Sequence, residues 1–204
     1  MSLESALARI SLLQTALQPQ PPAQAPPAAT ATPFSTLVQQ AGASTGPVGL
    51  VPASPGGTPA GQAMLNAVRN EVGVAEQPPG SNDAPRIAQY RQATAGAPGP
   101  GPWCAYFVSW AARTAGVPLG DSGQGFGRVD DVYAWAQRAG KAIPAGGAPP
   151  QPGDLIVWDE HIGIVESVGP DGSINTIEGN SSDRVSRRTY GSDGGGAIGY
   201  VRLG

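Results

Sequence analysis

Cysteine and histidine each occur once in this 204-residue chain, as Cys104 and His161. A single cysteine can close no internal disulfide, and without a CxxC pair or a Cys/His cluster the chain has no zinc-site pattern, so no metal ligands are assigned. Charge is also scarce: charged residues make up 13% of the chain, the formal net charge is −3 and the pI is near 5.0. A protein that works by neutralising phosphates carries a basic footprint, so nucleic acid is excluded as a partner. No stretch approaches the roughly 18 consecutive apolar residues of a membrane span. The opening "MSLESALARISLLQTALQ" has no basic leader, and Glu4 and Arg9 interrupt its apolar residues, so it does not read as an ordinary secretory signal.

Glycine and proline are abundant, 30 and 22 residues, a level that marks low-complexity sequence. Their distribution divides the chain into three. In residues 1–18, Leu3, Ile10 and Leu17 recur at heptad spacing with Ala6 and Leu13 between them, which predicts a short amphipathic helix. So short a helix is marginal alone in water, which makes residues 3–17 a candidate for docking on a protein partner or for self-association. Residues 19–61 hold no charged residue and ten of the prolines, and predict a disordered linker that cannot bury enough apolar surface to offset its ordering entropy. Its one apolar interruption, "PFSTLVQQA" (Pro33 to Ala41), reads as a chance cluster, with a short helix that binds a partner as the alternative. Residues 62–204 carry all four tryptophans and nearly all the charge, and predict one folded domain.

Within that domain the hydrophobic period changes partway. "GQAMLNAVRNEVGV" has an apolar stripe at Met64, Leu65, Val68 and Val72, closed by Gly73; "APRIAQYRQATAG" has Pro85 near its start and Gly96 after its end. A third helix is predicted from Cys104 through "AYFVSWAARTAG", stopped by Gly116 and Pro118, and a weaker one around "VDDVYAWAQRAG". "GDLIVWD", "HIGIVESV", "SINTIEGN", "RVSRRTY" and "AIGYVRL" then read as five short strands between Gly, Asp and Pro turns. Helices first and strands after predict an α+β domain, its N-terminal helices packed on a five-stranded antiparallel sheet.

That layout gives the lone cysteine a chemical reading. A thiol at a helix N-terminus faces unpaired N–H groups and the positive end of the helix dipole, both of which favour thiolate. For acyl transfer it needs an imidazole to take and return the proton and a polar group to hold the ring. His161 is the one imidazole, and it opens a predicted strand. Glu178 and Asn180 lie two apart on the next strand, so alternation puts both on one face, where either reaches the ring. The bland alternative is a small buried hydrophobe at Cys104, a structural histidine, and a strand that simply ends at "TIEGN". Trp103, beside the thiol, is a core residue or a cleft wall. Asn82 and Asp83, in the turn-rich "EQPPGSNDAPR", form a plain loop or the rim of a substrate groove.

The ordered blocks "WCAYFVSW", "PGDLIVW", "HIGIVESV" and "TIEGN" resemble the CHAP amidohydrolase/peptidase domains, a bacterial branch of the papain-like cysteine peptidases related to the NlpC-type enzymes. The resemblance covers roughly residues 62–204, with the glutamate and asparagine 17 and 19 residues after the histidine. It implies a papain-like fold, with Cys104 as nucleophile, His161 as base, Glu178 as orienter and Asn180 as a second polar member of the site. One departure is Glu160, which precedes His161 where such domains more often have glycine; a carboxylate there would raise the imidazole pKa or restrict substrate approach. The implied activity is hydrolysis of a peptidoglycan amide bond, within the stem peptide or at the muramoyl–alanine junction, through a thioester and without metal or organic cofactor. The alternatives are a cell-wall-binding or assembly module that has lost turnover, and an acyltransferase using the same thioester. A wall enzyme without a secretory signal would reach its substrate by a non-classical route, with residues 1–61 as docking helix and tether.

Overall fold

A computed structural model describes residues 56–204. The predicted helix over residues 1–18 and nearly all of the 19–61 linker lie outside the described residues. Helix α1 spans Pro59–Arg69, beginning two residues before the predicted stretch that opens at Gly61 and ending before Val72. Two local features set that start. The Thr58 hydroxyl accepts from the Gly61 N–H at 3.0 Å, and proline at the first helical position gives up an N–H that would have no intrahelical partner. Met64, Leu65 and Val68 form its fully buried face. Helix α2 is Pro85–Arg91, α3 is Cys104–Thr114 and α4 is Val129–Arg138. Helix α3 passes through the middle of the core, with Ala105, Phe107, Val108, Ala111 and Ala112 fully buried, and packs against α1, α2 and the sheet. It ends at Thr114, and Gly116 just beyond adopts a left-handed φ of 78°.

The sheet has six strands where five were predicted. They are β1 Ala142–Pro144, β2 Leu155–Val157, β3 Ile162–Val168, β4 Ile174–Glu178, β5 Ser186–Tyr190 and β6 Gly199–Val201. The spatial order is β1-β6-β2-β3-β4-β5 with every pairing antiparallel. The additional strand, β1, is three residues long, ends in Pro144 and pairs only with β6. An edge strand this short, carrying a proline, has no alternating pattern to read. At the other edge, β5 is exposed and bears Arg187 and Arg188, charges that discourage pairing with a further strand.

Both faces of the central strand β2 are covered. Leu155 and Val157 join the helix-side core, while Ile156 packs on the opposite face with Val165, Ile174, Ala197 and Tyr200. The end of β4 approaches α3 so closely that Gly179 has no room for a side chain: a Cβ there would lie 2.6 Å from the Phe107 Cβ and 2.9 Å from the Trp103 ring. The segment after α1 is stitched to the sheet side by Val185 N–H to Val74 O at 2.8 Å and Glu76 N–H to Asp183 O at 2.9 Å. That stitching carries residues 74–83 toward the start of α3. Because the Gly179 contact is with rigid core atoms, Gly179→Ala should lower the unfolding free energy by about 1–3 kcal/mol. Gly101→Ala, where a Cβ meets nothing within 4 Å, should stay within about 0.5 kcal/mol of the parent. Denaturant titration of both variants checks the pair; equal stability would show that β4 and α3 are not in tight contact.

Candidate active site

Cys104 is the first residue of α3, and the preceding residue, Trp103, makes no side-chain cap. The first helical bond to close over it runs from the Phe107 N–H to the Trp103 carbonyl at 2.9 Å, so the N–H groups of the first turn remain directed outward at the thiol end. Cys104 is 5% exposed. It lines a cleft of about 440 Å³ together with the Pro98–Pro102 loop, Tyr106, the Gly127–Asp130 turn and Asp159–Glu160. A second concavity, of about 310 Å³ between the Ala145–Pro150 loop and Tyr200, offers neither thiol nor imidazole.

His161 stands immediately before β3, and Glu178 ends the neighbouring β4. Antiparallel pairing brings them together: His161 Nε2 lies 2.9 Å from Glu178 Oε2. Gly163 makes this possible, since a Cβ there would sit 2.6 Å from the Glu178 Cγ. The carboxylate is 1% exposed and also accepts from the Thr176 hydroxyl at 2.5 Å and the Tyr190 hydroxyl at 2.9 Å. Burial pushes the Glu178 pKa up, but its hydrogen bonds to His161, Thr176 and Tyr190 outweigh that and hold it below the ordinary value. Burial and the neighbouring Glu178 push Tyr190 up to about 12, which keeps it a donor. With Nε2 committed to Glu178, Nδ1 is the nitrogen left for Cys104.

The imidazole itself is pulled two ways. Burial lowers its pKa, while its interactions with Cys104 and Glu178 favour the protonated ring and raise it to about 9. Glu160 is exposed and makes no contribution to that shift, so its expected effect on the imidazole is corrected: the groups that raise it are Cys104 and Glu178. Glu160 does line the cleft beside Cys104. The ring is held in place by Trp158, stacked on it at a centroid distance of 5.6 Å and anchored by its indole N–H to the Gly194 carbonyl at 2.9 Å.

Asn180 does not share the role of Glu178. Strand β4 ends at Glu178, and Asn180 has a left-handed φ of 58°, so two-residue alternation no longer applies and the amide turns away from the ring. With the amide assigned in the orientation that matches donors to acceptors, its oxygen accepts from the Trp103 backbone N–H at 3.1 Å and its NH2 donates to Glu76 Oε1 at 3.3 Å. Glu76, buried, also accepts from the Trp103 indole N–H at 2.9 Å and the Asn82 backbone N–H at 2.7 Å. Trp103 is therefore no cleft wall: it is fully buried against Tyr90 and Phe107, with its one polar atom spent on Glu76. Asn82 and Asp83 do not rim the cleft at Cys104 either. The guanidinium of Arg91 binds the Asn82 carbonyl at 3.1 Å and pairs with the Asp83 carboxylate, which ties both into the loop.

Sequence reasoning left out Glu76, Thr176, Tyr190 and Trp158. Thr176 had a signal, since it lies two residues before Glu178 on the same strand face. The other three are placed by loop path and strand pairing. Among the described residues no three His, Cys, Asp or Glu side chains converge to hold a metal ion.

A helix-start thiol facing a sheet-borne imidazole and its buried carboxylate, on helices packed against an antiparallel sheet, defines an α+β domain of the papain-like type. Residues 96–180 match the family model of the CHAP domain. Among solved structures the chain is similar to the peptidoglycan hydrolase RipB from Mycobacterium tuberculosis, at 20% identity with a TM-score of 0.42, over 70% of this chain and 64% of that one. The chain thus spans less than two thirds of that protein. No curated protein matches the chain.

The elevated imidazole pKa has a direct readout, because the chain has one histidine. NMR titration of its ring should show a midpoint near 9. Glu178→Gln should move it down toward the ordinary 6.5. A raised pKa stabilises the fold fully below the unfolded value and is lost as pH rises through the folded one. The stability of the wild type relative to His161→Ala should therefore fall between pH 6.5 and about 9. A ring that titrates at its ordinary value would break the proposed coupling to Cys104 and Glu178.

Proposed function

We propose that this protein hydrolyses an amide bond of bacterial peptidoglycan, in the stem peptide or at the muramoyl–alanine junction, through a thioester on Cys104. The observation that carries the reading is the convergence of a helix-start thiol, in an open cleft, with an imidazole bonded at 2.9 Å to a buried carboxylate, all within the segment that matches the CHAP family model. His161 takes the thiol proton at Nδ1, and the resulting imidazolium is matched by Glu178. The thiolate attacks the amide carbonyl. The oxyanion that forms is met by first-turn N–H groups of α3, including that of Cys104, the kind of donor whose removal costs about 10²- to 10³-fold in turnover. As the tetrahedral intermediate collapses, His161 returns the proton to the departing amine. The neutral ring then activates water to cleave the thioester, releasing the carboxylic acid and restoring the thiol.

Side chains and backbone N–H groups of the protein carry these steps. Glu178 holds the ring in the Nε2–H tautomer and stabilises its charged form. Asn180 and Glu76 act at a distance, by fixing the Trp103–Cys104 junction. On this reading the protein works at the cell wall.

Two measurements test the proposal. Cys104→Ala should abolish release of soluble fragments from purified peptidoglycan while the melting temperature stays nearly unchanged. Mass spectrometry of the wild-type products would identify the bond; undiminished release by the alanine variant would rule out the thioester. Glu178→Gln should reduce turnover by about 10²-fold or more, because an amide cannot match the imidazolium charge. Asn180→Ala should cost less, about tenfold, since the asparagine acts through the backbone at Trp103. The opposite ranking would transfer the orienting role to Asn180.

A further inference from the structure

The cleft beside Cys104 has a chemical bias that the proposed reaction does not use. Asp130, Asp159 and Glu160 line it, against a single guanidinium, that of Arg128. Arg128 reaches Asp130 only at 4.0 Å, with both side chains about three-quarters exposed, too loose a pair to neutralise the wall. Asp159 and Glu160 accept no hydrogen bond from the described residues and stand in the turn that leads into His161. His161 does not offset them, because its charge is matched by Glu178. The three carboxylates are not arranged to chelate a metal ion.

A second, independent feature points to a ligand. Tyr106 is 7% exposed and lines the same cleft, yet its hydroxyl makes no hydrogen bond within the described residues. No fully buried side-chain polar atom among them lacks a partner, so this hydroxyl is not fully buried, in a side chain that lines the cleft. It lies against Gly127, where a Cβ would come within 2.5 Å of the phenolic oxygen. Glycine at 127 keeps the hydroxyl uncovered. A nine-tenths buried phenol with a free hydroxyl, in a cleft also lined by Asp130, Asp159 and Glu160, is a site for a group that carries both positive charge and hydrogen-bonding capacity.

We propose that the cleft formed by Tyr106, Asp130, Asp159 and Glu160 binds a protonated primary amine of the peptide whose amide bond Cys104 attacks. The site thereby selects peptides with a free amine over those in which it is acylated. This specificity rests on the hydrolase reading of the same cleft. The amine could be the peptide's own terminus or a diamino side chain, two sources with the same ammonium chemistry.

The test is binding to the full chain carrying Cys104→Ala, so that affinity is read apart from turnover. The probes are the stem tetrapeptide L-Ala-γ-D-Glu-L-Lys-D-Ala, its Nα-acetyl form and its Nε-acetyl form, measured by isothermal titration calorimetry. The unmodified peptide should bind about tenfold more tightly than one of the acetylated forms, the size expected of a few solvent-screened charge contacts. Which acetylation costs affinity identifies the source of the amine. The preference should vanish when Asp159→Asn and Glu160→Gln are added, and should shrink at about 1 M salt. Tyr106→Phe should weaken binding of the unmodified peptide by roughly three- to tenfold. Equal affinity for all three peptides, a preference that survives loss of both carboxylates, or no binding overturns the proposal. Wild-type cleavage without any amine preference would keep the hydrolase reading and remove this one. Amine-selective binding without cleavage of wall material would do the reverse.

Discussion

The buried carboxylate of Glu178 is the constraint around which the site is arranged. An ionised group taken almost wholly out of water is costly unless hydrogen bonds replace its hydration. Here three donors do so: the imidazole of His161, the hydroxyl of Thr176 on the same strand and the hydroxyl of Tyr190 on the next. The imidazole and the Tyr190 hydroxyl are delivered by strand pairing, so the charge state of the imidazole depends on the register of β3, β4 and β5. Gly163 belongs to the same constraint, because any side chain there would occupy the space of the Glu178 methylene. Trp158 closes the arrangement, stacked on His161 and tilted against Tyr190.

The thiol side is held by a separate device. Glu76, a second buried carboxylate, gathers the Trp103 indole, the Asn82 backbone and the Asn180 amide. Asn180 in turn caps the backbone N–H of Trp103. The loop after α1, the start of α3 and the turn after β4 are thus joined at one point, two of whose residues lie outside the segment matched by the family model. Two buried carboxylates do different work: Glu178 sets the protonation of the ring, whereas Glu76 sets the position of the helix start. The open side of Cys104 meets the cleft, which Tyr106, Asp130, Asp159 and Glu160 also line.

The reading from sequence was most successful where the signal is local. Helix α3 starts at Cys104 as its glycine- and proline-rich approach indicates, and Gly116 ends it. The five predicted strands are present, because alternation and turn residues are written within each segment. The strand missed, β1, is a three-residue edge ending in proline, with too little pattern to register. Trp103 shows the opposite failure. Adjacency to the thiol suggested a cleft wall, but its burial follows from Tyr90 and Phe107, contacts made by a different helix and by the next turn of its own.

By itself the sequence determined the class of fold, the uniqueness of the thiol and imidazole, and the candidacy of Glu178 and Asn180, since these depend on composition, period and spacing along one chain. Only the tertiary structure decided between the last two. Alternation predicts a shared face while the strand continues, but β4 ends at Glu178 and the left-handed backbone at Asn180 sends its amide to Trp103 and Glu76. Glu76, Tyr190 and Trp158 are likewise invisible before folding. They lie 28, 86 and 54 residues from Cys104 in sequence, and their roles arise from loop paths and strand register that no local pattern encodes.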